Sequence, residues 1–255
     1  MASGRPLSWR SVMDPRKSLL INGGLYLAAL VGTLFAQARG LHLMEFICKP
    51  LLLIVLSSWF FFNSRRVGDR FTLLVQAGLF FSLVGDVALM LQHLDEFNFL
   101  IGLAAFLVAQ ICYAVAFLQN AVEVDGAEGV WVSLLIMVLL LSYGFFFAYD
   151  LMPYLDEALV LPVVAYAIAI SLMGVAAGFR FRRTFPRSFW MVFIGALLFI
   201  ASDSLLARNR FARPVPMGDV LIMVTYAGAQ FLIAAGCLVH VLDPEERRRR
   251  QALRT

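Results

Sequence analysis

The sequence predicts an all-α fold: a polytopic membrane helical bundle of about eight transmembrane helices with both termini cytoplasmic. Three observations carry this expectation. Of the 255 residues, 61% are hydrophobic and only 15% charged, more apolar surface than a water-soluble core of this size hides. Nearly all of it falls in runs of about 20 residues, the length that crosses roughly 30 Å of hydrocarbon at 1.5 Å per residue. The basic residues gather at alternate ends of these runs, as the positive-inside rule requires.

Taken in order, residues 1–17 carry Arg5, Arg10, Arg16 and Lys17 and no apolar run, and read as a cytoplasmic tail rather than a cleaved signal peptide. The first span covers 18–37. The second, 44–62, contains Cys48-Lys49-Pro50 and ends before Arg65 and Arg66. The third, 70–92, begins at Arg70 and holds Asp86; the fourth, 97–119, holds Gln110 and Tyr113. The fifth covers 129–149. The sixth, 157–179, has an edge blurred by Pro162 and leads into Arg180, Arg182 and Arg183. The seventh, 187–208, starts at Arg187 and holds Asp203, and mixed charges obscure the stretch from 208 to 217. The eighth, 217–242, carries Tyr226 and Gln230. Residues 243–255, with Arg247 to Arg250 and Arg254, form a basic cytoplasmic tail, leaving 18–242 as one transmembrane domain.

With the N-terminus inside, sixteen of the 21 basic residues face the cytoplasm, while Arg39, Arg208, Arg210 and Arg213 fall outside and Lys49 lies within a span. This placement accounts for the basic balance through contact with an anionic leaflet, so nucleic acid is not an expected partner. The cysteines Cys48, Cys112 and Cys237 all lie in spans and are expected to be free thiols. His42 and His93 belong to the outer side and His240 to the inner end of the eighth span, so no three-ligand zinc site is expected from them.

Two stretches stand apart, "GLFFSLVGDVALM" at 78–90 and "GALLFIASDSLLA" at 195–207. Each sets an aspartate, Asp86 or Asp203, deep in an apolar span. Such a group costs at least about 2.5–3.5 kcal/mol on insertion scales and by default marks a functional site; the duller reading is a pair that glues helices through hydrogen bonds. Each aspartate lies 16 residues after the arginine that opens its helix, Arg70 or Arg187, which puts both roughly 24 Å up from the cytoplasmic side. Gly78 and Gly195 each stand eight residues before their aspartate, and the offset of 117 residues equals four spans, as in a parallel transporter repeat.

His93 and Arg210 each follow an aspartate by seven residues, two turns further out on the same face if the helices continue. With Lys49, they offer cations for a lipid headgroup, although Lys49 and Arg210 also fit an interfacial snorkel and a plain loop cation. Tyr226 with Gln230, and Tyr113 with Gln110, are too polar to face lipid. Ser82, Tyr166, Ser202 and Asn209 complete the expected substrate-binding set.

The segments "GLFFSLVGDVALM", "GLAAFLVAQICYAVAF", "ALLFIASDSLLARNRF" and "VTYAGAQFLIA", with Cys48-Lys49-Pro50, resemble the lysoplasmalogenase family of multi-span membrane proteins over residues from about 45 to 235. The resemblance implies hydrolysis of the vinyl-ether bond of a lysoplasmalogen to a fatty aldehyde and a glycerophosphoethanolamine or glycerophosphocholine. It implies Asp86 and Asp203 as the catalytic pair, with Lys49, Asn209 and Arg210 among the matched positions. The chain departs from the family at Gln110, usually His, and at Thr225-Tyr226, usually Tyr-Tyr. The partners implied are a lysophospholipid and the lipids of a bacterial inner membrane or endoplasmic reticulum.

The chemistry is consistent with what the residues offer. A vinyl ether hydrolyses when acid protonates its outer alkene carbon and water captures the resulting oxocarbenium ion. Two close carboxyl groups do not both ionise cheaply, so one serves as acid beside a carboxylate, as in glycosidases. No metal or organic cofactor is required. A proton-coupled transporter also wants buried carboxylates and a repeat, and is the principal alternative; a scaffolding membrane protein is a further one. An intramembrane aspartyl protease is disfavoured, because Leu83 stands where its first motif glycine belongs and Tyr149-Asp150 lies at a helix edge.

Overall fold

The computed structural model describes residues 17–65, 67–122 and 129–242. The tails expected at 1–17 and 243–255 fall outside these residues, Lys17 excepted, as does Arg66. The described chain forms eight long helices: α1 (Leu19–Arg39), α2 (His42–Ser64), α3 (Arg70–Met90), α4 (Phe97–Val122), α5 (Val130–Leu151), α6 (Glu157–Gly178), α7 (Pro186–Ala207) and α8 (Gly218–Leu242). All eight are long and apolar enough to cross a membrane, and the protein is a multi-pass integral membrane protein.

Local chemistry sets the helix ends. Ser18 caps α1, its hydroxyl accepting from the Ile21 N–H at 3.4 Å. Gly40, at φ 65°, closes the same helix in the left-handed conformation that glycine adopts without a Cβ penalty. Asp69 caps α3 by accepting from the Thr72 N–H at 3.0 Å. Pro186 occupies the first turn of α7, where its missing N–H has no intrahelical partner to lose. Pro162 does not end a helix. It lies in the second turn of α6, which runs on to Gly178.

The region between α7 and α8, obscure in the sequence, is a π turn (Arg208–Ala212) followed by a loop. At the same end of the bundle α3 stops at Met90, and His93 sits in a turn with its Nδ1 2.9 Å from the Met90 carbonyl. The continuous helix that would put His93 above Asp86 is therefore absent.

The core lies between α1, α2, α3, α4, α6, α7 and α8. Small residues bring the helices close, the usual device where lipid offers no hydrophobic drive for association. A Cβ on Gly195 would lie 3.0 Å from the Ala229 carbonyl oxygen, so only glycine lets α7 approach α8 this far. The fifth helix is the exception. Only 6% of its apolar window is buried, which makes α5 a lipid-facing strut with exposed Trp131 near one end and Tyr149 near the other, where such rings anchor at interfaces.

Neighbour relations recur when the helix number is raised by four. α3 packs on α4 and α7 on α8; α1 packs on α2 and α5 on α6; across the halves, α4 packs on α6 and α8 on α2. The recurrence is approximate, since α8 also touches α1 and α3 without a counterpart of equal extent at α4.

One of the cations expected on the inner side departs from that expectation. Arg180 does not face the leaflet; it is fully buried in the turn after α6, donates to the Ser188 hydroxyl at 2.8 Å and lies over the Phe117 ring. Burial lowers its guanidinium to about 10 from 12.5, which leaves it charged at neutral pH. All three cysteines are free.

Candidate active site

Asp86 and Asp203 line one chamber of about 100 Å³, formed between α2, α3, α4, α6, α7 and α8. Its other walls are mostly apolar and include Leu89, Phe99, Phe106 and Met223. It shares Lys49, Phe99 and Arg210 with a wider vestibule of about 970 Å³. Among the described residues no group of three His, Cys, Asp or Glu side chains comes together as a metal site.

Each aspartate is held the same way. Tyr226 on α8 donates its hydroxyl hydrogen to Asp86 Oδ2 at 2.7 Å, and the Gln230 amide one turn away donates to Tyr226 at 3.4 Å. On the other side, Tyr166 on α6 donates to Asp203 Oδ2, and Gln110 on α4 donates to Tyr166 at 3.4 Å. Two Gln-Tyr-Asp relays built from different helices thus converge on the chamber. Tyr113 extends the first by donating to Gln230 Oε1 at 2.9 Å.

The residues preceding the aspartates explain their motifs. Gly85 has no side chain to obstruct the ring of Phe106, whose atoms lie 2.6 Å from where a Cβ would stand. Phe106 in turn meets Tyr226 edge-on, with centroids 6.0 Å apart, and so fixes the phenol that serves Asp86. Ser202 donates to the Ile222 carbonyl at 3.1 Å, tying α7 to α8 beside Asp203.

The two carboxylates differ in their charged company. Lys49 Nζ lies 4.0 Å from Asp86 Oδ1. Among the described residues Asp203 has no ion pair. Arg210 lines the chamber, but its guanidinium donates to Gln92 at 2.7 Å and stacks over Phe99, 4.0 Å from the ring centroid.

Of the thirteen residues singled out in the sequence, Asp86, Asp203, Lys49, Tyr166, Ser202, Arg210 and Tyr226 line the chamber. His93 and Asn209 belong to the vestibule. Asn209 accepts from the Val215 N–H at 3.0 Å and shapes the loop before α8. Gln110, Tyr113 and Gln230 stand behind the chamber wall, fully buried, and act on the aspartates through tyrosines. Ser82 is fully buried and outside the chamber lining. The sequence reading missed Gln92, Phe99, Phe106 and the vestibule acids Glu45 and Asp219. Gln92 was discoverable as the polar residue beside His93 at a span end; the phenylalanines carry no signal that separates them from ordinary core.

Residues 44–237 match the YhhN family. The chain belongs to that family. The YhhN match begins within α2 and includes Lys49, both aspartates, Tyr166 and Tyr226, leaving α1 outside it. The chain is 33% identical over 190 residues to the lysoplasmalogenase TMEM86B of Sus scrofa, covering 73% of this chain and 71% of the relative. It is 31% identical over 194 residues to human lysoplasmalogenase TMEM86B, covering 75% and 73%. A lysoplasmalogenase from Mycobacterium tuberculosis is 32% identical over 139 residues, covering 54% of this YhhN chain and 50% of the relative. No solved structure matches.

Proposed function

We propose that this protein is a lysoplasmalogenase, an ether hydrolase that cleaves the vinyl-ether bond of a lysoplasmalogen by acid/base catalysis with Asp86 and Asp203. The supporting observation is that these two carboxylates, from helices four apart in the chain, line one mostly apolar chamber beneath a vestibule that holds cations. The relatives named lysoplasmalogenase supply the reaction class.

The alkenyl chain of a single-tailed lipid fits apolar walls of Leu89, Phe99, Phe106 and Met223, while its phosphodiester remains with Arg210. One aspartate gives a proton to the outer alkene carbon. The ether oxygen lone pair then forms the oxocarbenium ion, water adds to the carbon beside oxygen, and the second carboxylate takes the water proton. Collapse of the hemiacetal releases aldehyde and the glycerol hydroxyl. The partial exclusion of water strengthens the electrostatic hold of a carboxylate on the passing cation.

The test is aldehyde release by purified, detergent-solubilised protein supplied with lysoplasmalogen. Wild type turns over, and Asp86→Asn and Asp203→Asn, eluting as folded protein, do not. Turnover retained in either variant removes that aspartate from the reaction.

A further inference from the structure

The offset of 117 residues that separates Asp86 from Asp203 also separates Lys49 from Tyr166, and Tyr113 from Gln230. The first of these added pairs occupies equivalent places: Lys49 faces Asp86 from the helix before it, and Tyr166 faces Asp203 from the helix before it. The second pair meets, Tyr113 donating to Gln230. The two halves therefore set a polar side chain against each aspartate from the preceding helix, a cation in the first half and a phenol in the second, while Tyr226 and Gln110 have only Ala109 and Ala227 at the corresponding positions.

We propose that Lys49 is the positioning residue that divides labour between the two aspartates, its ammonium keeping Asp86 as the carboxylate while Asp203, partnered by the uncharged Tyr166 hydroxyl, is the general acid. This rests on the hydrolase reading above and assigns the roles within it. The charged groups around each carboxylate are consistent with the division. Asp86 is faced by Lys49 from α2 and Tyr226 from α8 and shares the chamber with Asp203 from α7, while α4 presents Phe106; Tyr26 on α1 gives its hydroxyl hydrogen to the Ala227 carbonyl at 2.8 Å. Asp203 is faced by Tyr166 from α6 and Asp86 from α3; α5 directs Tyr143 to Ser204 and α8 offers the Ile222 carbonyl to Ser202. An ammonium 4.0 Å from one carboxylate favours its ionised form, and that anion discourages ionisation of the other.

The proton account closes. Asp203 transfers its hydrogen to the outer alkene carbon as the C=C electron pair forms the new C–H bond, and becomes a carboxylate. Asp86 takes the proton of the attacking water as the C–O bond of the hemiacetal forms. On collapse, Asp86 returns a proton to the departing glycerol oxygen and Asp203 takes the hemiacetal hydroxyl proton. Both residues end as they began, and one water has been consumed.

The experiment is the pH profile of kcat/KM for aldehyde release in wild type, Lys49→Met, Lys49→Arg and Tyr166→Phe. The ascending limb reports ionisation of the base and the descending limb loss of the acid proton. Lys49→Met is expected to move the ascending limb to higher pH by about one unit or more, the scale of a close opposite charge, with Lys49→Arg restoring it. Tyr166→Phe is expected to move the descending limb upward, because a hydroxyl donor favours the ionised carboxyl. Lys49→Gln reads the same limb if the Met variant does not purify as folded protein, and Tyr166→Phe reports independently of both. An unmoved ascending limb in the neutral variants, or a response of the opposite limb, overturns the assignment. If Asp86→Asn and Asp203→Asn also retain turnover, the hydrolase mechanism itself fails; if they are inactive, only the division of roles does.

Discussion

Gln110 on α4 donates its side-chain N–H to the hydroxyl of Tyr166 on α6, 3.4 Å away and 56 residues later in the chain. Tyr166 passes the hydrogen-bond polarity on to Asp203. A residue outside the chamber lining thereby governs the orientation of the phenol that touches a proposed catalytic carboxyl.

This relay makes a distinction between substitutions at position 110. Gln110→His retains an N–H donor and is expected to keep most of the aldehyde-release activity. Gln110→Leu removes it and lowers kcat by about 2- to 10-fold, the range of one neutral hydrogen bond. Equal activity in the two variants would mean that the bond to Tyr166 has no catalytic consequence.

Tyr226 has the corresponding place on the other relay, and its acceptor is the carboxyl beside Lys49. A hydrogen bond to a charged group contributes about 1.5–3 kcal/mol. Tyr226→Phe is therefore expected to reduce kcat by about 10- to 100-fold with little change in KM, since the hydroxyl contacts Asp86 rather than the headgroup. A rise in KM alone would place Tyr226 in substrate binding.

Arg210 belongs to both the chamber and the vestibule, held in place by Gln92 and the face of Phe99. If it receives the phosphodiester, Arg210→Ala raises KM by about 10-fold or more, as expected for loss of a charge-assisted pair, and kcat moves far less. Arg210→Lys recovers part of the loss. A fall in kcat at constant KM would contradict the headgroup role.

Gly195 tests packing instead of chemistry. Its Cα faces α8 so closely that a Cβ would lie 3.0 Å from both the Ala229 carbonyl oxygen and the Ile233 nitrogen. Gly195→Val is expected to cost about 1–3 kcal/mol through overpacking, visible as a lower thermal midpoint in detergent. Gly24 is the control, with nothing within 4 Å of its Cβ direction; Gly24→Ala leaves the midpoint unchanged or slightly higher.

Much of the architecture was legible because hydrocarbon imposes a simple demand: every backbone polar group must be satisfied within the helix, over a length the bilayer fixes. Hence the span 157–179 expected from the sequence corresponds to α6 at Glu157–Gly178. The exit of α3 was harder, because Leu91 and Gln92 continue its apolar and polar pattern while the chain has already turned. Asp86 and Asp203 were visible as charges in apolar surroundings. Their supports were visible only as residue types: that Gln110 serves Tyr166, and Tyr113 serves Gln230, depends on which helix faces rotate together, and no spacing along the chain encodes it.

The bond from Tyr113 to Gln230 has a mechanical meaning. Each residue is the other's counterpart in the two halves, and the bond is buried at the point where those halves meet. A carrier that alternates between two openings by rocking one half against the other would have to rupture this clasp, and rebuild it, in every cycle. A hydrolase makes no such demand: with its halves latched together it behaves as a stationary crucible, and the lipid is what travels.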